Sequence, residues 1–284
     1  MKQLCLALCL LVVLFVSAGS ADQAPAGYVV AISLAGDDLA AKTAVVREGK
    51  ELPPKLMMPV YSGDVVFVRD PASRVSLEIG GGQTVEIGGT LARYNVSGEI
   101  PTGDDAWSVL TAIGGVLAGE EDTIPENMVS KGGSLTVPLA ARGPNLITKA
   151  ERKLWLAWQG GTAPFTVTLK TGAKEFSIPA TDTREAEIPI PADVGERLAV
   201  MIRDSTQQIA TIRFRLRDEI PALPNGLKKA SPGPSAETVV NAAWLASFEN
   251  GAWAVQAAQM LHAQAGENQA AAALLARMVK GWKP

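Results

Sequence analysis

The chain has 284 residues, a formal net charge of −3 and 47% hydrophobic residues, which suits one large domain or roughly two to three small ones. This mildly acidic balance argues against a nucleic-acid-binding protein, because binding to phosphates needs a clustered basic surface. Both cysteines, Cys5 and Cys9, lie in a hydrophobic N-terminal segment, and His262 is the single histidine. Cysteine nucleophiles, Cys/His zinc sites and most histidine-based triads are therefore excluded, and we predict no catalytic residue, metal or cofactor.

Residues 1–21 have the parts of a secretory signal peptide. Lys2 supplies a positive charge, Leu4–Val16 form an apolar run, and small residues lead to a predicted cleavage site after Ala21. The run is shorter than the roughly 20 apolar residues that a membrane-spanning helix needs, and no later segment is long and apolar enough. We therefore predict a periplasmic or secreted protein with no membrane span after cleavage. An uncleaved anchor and a lipoprotein signal are the alternatives.

Residues 27–103 are predicted to form a β-domain. Tyr28–Leu34 and Thr43–Arg47 are short β-branched runs that end at turn signals, and Val65–Val68 is apolar on both faces, as in a central strand. Apolar and polar residues then alternate over Arg74–Ile79 and again over Thr84–Ile87, with glycines between the two runs. This pattern predicts a β-hairpin.

The order of strands and turns in this segment is a pattern shared with a known family. The residues that carry it are Val45-Val46-Arg47, Gly49, Gly63-Asp64, Ser73, Val75–Ile79 and Val85-Glu86-Ile87. Over about residues 27–96 the segment resembles the periplasmic domain of the FecR family, which implies a periplasmic interaction module. Classical members carry a cytoplasmic segment and a membrane span before this domain, whereas here a predicted signal peptide precedes it.

Residues 104–131 are predicted to form a helix followed by a linker. Asp104 or Asp105 can cap the helix, and apolar residues recur at helical spacing from Trp107 to Leu117. The helix either closes one end of the β-domain or docks a partner.

Residues 132–220 have the pattern of an immunoglobulin-like β-sandwich, because seven short alternating runs are separated by turn residues. The stretch from Trp158 to Val167 also resembles bacterial Ig-like modules in its W-x-G-G and P-F-x-V pattern. The predicted strands are Leu135–Leu139, Leu154–Trp158, Phe165–Leu169, Phe176–Ile178, Ile188–Ile190, Leu198–Ile202 and Ile212–Leu216.

Residues 221–234 are predicted to be a linker, and residues 235–284 a helical C-terminal region. Ser235 is a suitable N-cap. Three helices are expected over Ala236–Phe248, Ala252–Ala265 and Glu267–Gly281, packed together or against the sandwich.

Two groups of residues form the candidate binding surface. Trp155 and Trp158 are three apart and should face opposite sides of one strand, which would leave one in the core and one semi-exposed as a binding platform, for example for a sugar ring. Arg213, Arg215 and Arg217 alternate along the last strand and could grip an anionic polymer. Their alternative is cross-strand pairing with acids such as Glu196. The candidate surface is completed by Trp244 and Trp253 on the helices.

Together these features predict a mainly β, non-enzymatic periplasmic protein that acts in interaction or scaffolding, as part of envelope sensing or signalling. The expected partner is an envelope protein. The alternative is a carbohydrate- or peptidoglycan-binding module, and an envelope hydrolase ranks third.

Overall fold

The computed structural model describes residues 24–100, 113, 115, 117, 133–140 and 145–282. These residues form a mainly β structure with four sheets, which confirms the predicted fold class at that level. The predicted signal peptide lies outside the described residues. So does most of the predicted helix and linker over 104–131, although Ile113, Gly115 and Leu117 are helical.

The N-terminal β-unit consists of two four-stranded antiparallel sheets. Its elements are β1 (Gly27–Ser33), α1 (Leu39–Lys42), β2 (Thr43–Arg47), β3 (Lys50–Leu52), β4 (Pro59–Val60), β5 (Val65–Val68), β6 (Arg74–Ile79), β7 (Gln83–Gly88) and β8 (Arg93–Asn95).

The strand orders of these sheets are β4-β1-β6-β7 and β3-β2-β5-β8. They share a core of aliphatic side chains, among them Val29, Val66 and Leu77. The predicted hairpin is confirmed as β6–β7, and β5 is a central strand as predicted.

The C-terminal β-unit consists of a five-stranded and a two-stranded sheet, with orders β12-β11-β14-β15-β9 and β10-β13. In the larger sheet β9 runs parallel to β15, and the other neighbours are antiparallel. Its strands are β9 (Asn145–Thr148), β10 (Lys153–Ala157), β11 (Thr166–Thr171), β12 (Lys174–Ser177), β13 (Glu185–Pro189), β14 (Arg197–Arg203) and β15 (Ile209–Arg217).

Six of the seven strands predicted here are present, but the predicted strand Leu135–Leu139 is wrong. Only a single bridge joins Thr136 to Gln159, and Pro138–Ala140 form a 3-10 turn. Pro138 has no N–H to donate, so a ladder cannot continue through it. The seventh strand is instead β9, whose four residues are all buried and therefore show no alternation.

Four helices follow the second unit: α2 (Asn225–Ala230), α3 (Pro234–Ser247), α4 (Ala254–Gln264) and α5 (Gln269–Val279). The three predicted C-terminal helices are confirmed within two residues at each end, and α2 lies inside the predicted linker. Ser235 is not the N-cap, because α3 begins at Pro234 and its N-cap is Gly233. None of the helices among the described residues is long and apolar enough to cross a membrane.

The C-terminal helices pack against both β-units. One continuous apolar core includes Tyr28 and Met57 of the first unit, Leu156 and Phe214 of the second, and helix residues such as Leu274. Helix α5 lies against β1, and α4 lies against β9 and β10. The helices are thus an integral part of the fold.

Candidate functional site: a basic face on the five-stranded sheet

The outer face of the five-stranded sheet carries the arginine row predicted from the sequence. Arg213, Arg215 and Arg217 are exposed, and they alternate with buried apolar residues of β15 that point toward the core. This period of two arises because successive side chains of a strand point to opposite faces. The prediction that the three arginines share one side of the strand is confirmed.

The strand register adds two cations that the sequence analysis missed. Arg197 of β14 faces Arg215 directly, and Ala199 lies between Arg213 of β15 and Lys170 of β11. Paired residues of neighbouring strands point to the same face, so these four cations surround the small side chain of Ala199. We call Lys170, Arg197, Arg213 and Arg215 the basic cradle.

The positive charge of the cradle is largely uncompensated. Lys170 Nζ lies 3.2 Å from Glu175 Oε2. Among the described residues, no carboxylate forms an ion pair within 4.0 Å with Arg197, Arg213 or Arg215. Glu196 forms no ion pair with Arg213, Arg215 or Arg217 in the described part of the chain, so that alternative is not realised; its backbone carbonyl oxygen accepts a hydrogen bond from Leu216 N.

The cradle lines a concave hollow of about 670 Å³. Ala199 and Thr211 form part of its floor, and Ala140 and Asn145 border it at the β9 side. Asn145 Nδ2 donates a hydrogen bond to the carbonyl oxygen of Arg213 at 3.1 Å, which ties the strand to this rim. This volume lies within the range of about 300–1,000 Å³ that is typical of ligand sites.

Chemically, this hollow offers guanidinium and ammonium donors to an anion. The described part of the chain holds no group of three or more His, Cys, Asp or Glu side chains that could bind a metal ion. Guanidinium and ammonium groups can hold an anion by charge and hydrogen bonding.

The predicted tryptophan platform is wrong. Trp155 is only 6% exposed and Trp158 only 2%, so neither side of β10 presents a semi-exposed indole. Helix α4 covers the outer face of this strand and stacks His262 on Trp155 with ring centroids 4.5 Å apart, while Trp158 meets Phe165 edge-on in the core. The helix was predicted, but its position over β10 has no signal in the sequence.

Trp244 and Trp253, the two helix tryptophans of the candidate surface, do not form a binding surface either. Trp253 is 3% exposed, and Trp244 is half-buried against Phe248 with ring centroids 5.0 Å apart. Of the candidate binding residues, only the three arginines lie on an open surface.

His262 has the packing role expected for a lone histidine. Its Nε2 lies 3.6 Å from Glu187 Oε1, and Lys153 Nζ lies 3.0 Å from the other oxygen of that carboxylate. The hydrogen bond from Lys153 lowers the pKa of Glu187, and His262 lowers it further. These contacts hold α4 on the two-stranded sheet.

Comparison of the chain with protein-family models, with curated proteins and with solved structures finds no match.

Proposed function

We propose that this chain is an exported, non-enzymatic interaction protein of the bacterial cell envelope that binds an anionic partner through the basic cradle. The observation that carries the proposal is the convergence of four cations on one concave sheet face where three arginines have no acidic partner among the described residues. An unpaired cationic surface of this kind favours association with complementary negative charge.

The architecture supports a scaffolding role in the same proposal. The first β-unit resembles FecR-family periplasmic domains in its sequence, and the second resembles bacterial Ig-like modules. Buried helices join the two units in one core, so a partner bound at the cradle is held at a fixed position relative to the first unit. A rigid two-unit body of this kind suits an envelope scaffold or sensor component.

The carbohydrate- or peptidoglycan-binding alternative depended on an exposed aromatic platform. Because Trp155 and Trp158 are in the core, no observation now favours that alternative.

The interaction is tested by crosslinking the tagged protein in its native host and measuring the yield of crosslinked envelope partner. The variant R213Q/R215Q/R217Q should lower this yield about fivefold or more, because it removes three of the exposed cations. The matched control K50Q/K228Q/K229Q removes three exposed positive charges from other surfaces and should leave the yield unchanged. Equal yields for the two variants would overturn the proposal.

Export is tested in the same cells. The mature protein should be released with the periplasmic fraction and should begin at Asp22. Recovery in the cytoplasm with Met1 retained would contradict this part of the proposal.

A further inference from the structure

We infer that the basic cradle binds a linear polymer of phosphate groups, with one phosphate held between Arg197 and Arg215. This inference rests on the proposed function, because it names the chemical class of the anionic partner. Its support is the register of the arginines, the composition of the face and the shape of the hollow.

Two arginines face each other across neighbouring strands. Arg197 and Arg215 are direct neighbours across the β14–β15 ladder, where Cβ atoms lie about 4.5–5.5 Å apart, so both guanidinium groups can reach one anion. Like charges at facing positions destabilise a sheet unless a counter-charge lies between them. A bound anion supplies that charge.

Carboxylate and phosphate differ in how their oxygens are arranged. A carboxylate has two oxygens that offer about four lone-pair sites in one plane, so two guanidinium groups can share it only by approaching in that plane. A phosphate has oxygens on several sides, so it can accept hydrogen bonds from two guanidinium groups at once. The paired arginines therefore favour phosphate over carboxylate.

Further positive charges lie next to the facing arginines. Arg213 precedes Arg215 by two residues, which is about 6.6–6.8 Å along a strand, and Lys170 lies two strands away from Arg213. Both cations lie in the next row of the sheet, on the same side of the Arg197–Arg215 pair, so they can contact the next phosphate of the chain. A polymer uses all four cations, whereas a single phosphate ion uses only two or three.

The composition of the face favours an extended anionic chain over an apolar protein interface at the hollow. Protein interfaces depend on aromatic and apolar anchors at their centre. Leu198, Ile212 and Phe214 line the hollow but are buried, and the exposed Ile209 of β15 does not line it, so among the described residues no large exposed apolar side chain lines the hollow. The hollow is also concave, which suits a chain better than a flat membrane surface.

The test measures binding of the mature full-length protein to inorganic polyphosphate, with polyglutamate of matched charge as the comparison polymer. Polyphosphate should bind more tightly than polyglutamate, and R197Q/R215Q should weaken its binding about tenfold or more. The control K50Q/K228Q, which removes two exposed positive charges elsewhere, should bind as the unmodified protein does. The affinity should also fall as the salt concentration rises. The slope of the logarithm of the affinity against the logarithm of the salt concentration should decrease in magnitude by about one for each cradle cation removed.

A second variant separates guanidinium geometry from charge. R197K/R215K keeps both charges and the fold but loses the forked donors, so we expect binding weakened about threefold to tenfold. Unfolding midpoints of all variants are measured alongside. Polyphosphate affinity unchanged in R197K/R215K would overturn the placement of a phosphate between the two arginines.

The remaining outcomes distinguish this inference from the proposed function. If polyglutamate binds as tightly as polyphosphate, the phosphate inference is overturned while an anionic partner remains supported. If polyphosphate binding does not depend on R197Q/R215Q, the site is overturned. If neither polymer binds, the inference fails, and the crosslinking experiment decides separately on the proposed function, because it presupposes no ligand.

Discussion

Glu78 joins the two halves of the molecule through a single carboxylate. It belongs to β6, yet it is only 2% exposed, and its two oxygens accept hydrogen bonds from Ser235 N at 3.0 Å and Ala236 N at 2.9 Å. These are unpaired N–H groups of the first turn of α3, where a negative charge also interacts favourably with the helix dipole. The N-cap Gly233 has no side chain, and a Cβ there would lie 2.8 Å from the Glu78 carboxyl carbon. A residue distant in sequence thus performs the capping function predicted for Ser235.

We expect Glu78→Gln to lower the free energy of unfolding by about 1.5–3 kcal/mol, because the amide replaces one accepting oxygen by a donor that faces another N–H. The measurement is the midpoint and slope of denaturant unfolding. Glu86→Gln is the matched control, since Glu86 is an exposed acid of the adjacent strand whose one ion pair with a described residue is to Arg74 at 3.3 Å. Its loss should change stability by less than about 0.5 kcal/mol. Equal effects of the two substitutions would contradict the capping role.

The C-terminal helices take the place of neighbouring strands at the edge strands β9 and β10 and at the part of β1 that extends beyond β4. Gln269 pairs with both the N–H and the carbonyl oxygen of Ile32 on β1, and Gln259 pairs with both groups of Trp155 on β10. Gln256 accepts a hydrogen bond from Thr148 N on β9 at 2.8 Å. A glutamine side chain presents the same amide donor and acceptor as a peptide group, so it satisfies an edge that would otherwise be open to other chains.

We expect Gln259→Met to destabilise the fold by about 2–5 kcal/mol. Methionine has a similar volume, but it leaves the buried N–H and carbonyl oxygen of Trp155 without partners, each at a cost of about 1–3 kcal/mol. The measurement is thermal unfolding, with aggregation followed by light scattering. Gln264→Met is the control because Gln264 is exposed at the end of the same helix. A similar unfolding temperature for both variants would contradict an edge-capping role for Gln259.

Local sequence patterns predict most of the strands and helices, but they do not predict which of these elements pack against each other. Alternation located the β6–β7 hairpin and the arginine row of β15, because both signals lie within a few residues of the chain. Strand β9 was missed because burial on both faces removes alternation from its four residues. Half of the cradle was missed as well, since the pairing of Arg197 with Arg215 depends on a register that the sequence does not specify. Glu78 was assigned to a polar strand face because nothing in its own segment indicates that a helix covers it.

The molecule as a whole is organised around a core that the two β-units and the helices share. Tyr28 and Met57 of the first unit lie in the same apolar cluster as Leu156 of the second unit and Val239 of α3. The Glu78 cap and the Gln269 pair add polar contacts from the first unit to the helices. Domains with so large a common core are expected to unfold together. The intrinsic fluorophores are divided along the chain. All three tyrosines lie between Tyr28 and Tyr94, and all six tryptophans lie between Trp107 and Trp282.

We expect Leu77→Ala, in the core of the first unit, to shift the unfolding transition that tryptophan fluorescence reports. Leu77 is fully buried, and its truncation should cost about 2–5 kcal/mol. None of the five tryptophans among the described residues lies in the first unit, so in a W107F background tryptophan emission can respond only if destabilisation of that unit is transmitted through the shared core. Thr84→Ala, an exposed position on β7, serves as the control and should leave the midpoint in place. The contrary result has two parts: the midpoint reported by tryptophan fluorescence stays fixed in Leu77→Ala, and amide hydrogen exchange becomes faster in the first unit alone. That result would mean that the two units unfold independently. In that case the cradle would not be held rigidly relative to the first unit, and the scaffold part of the proposed function would fail.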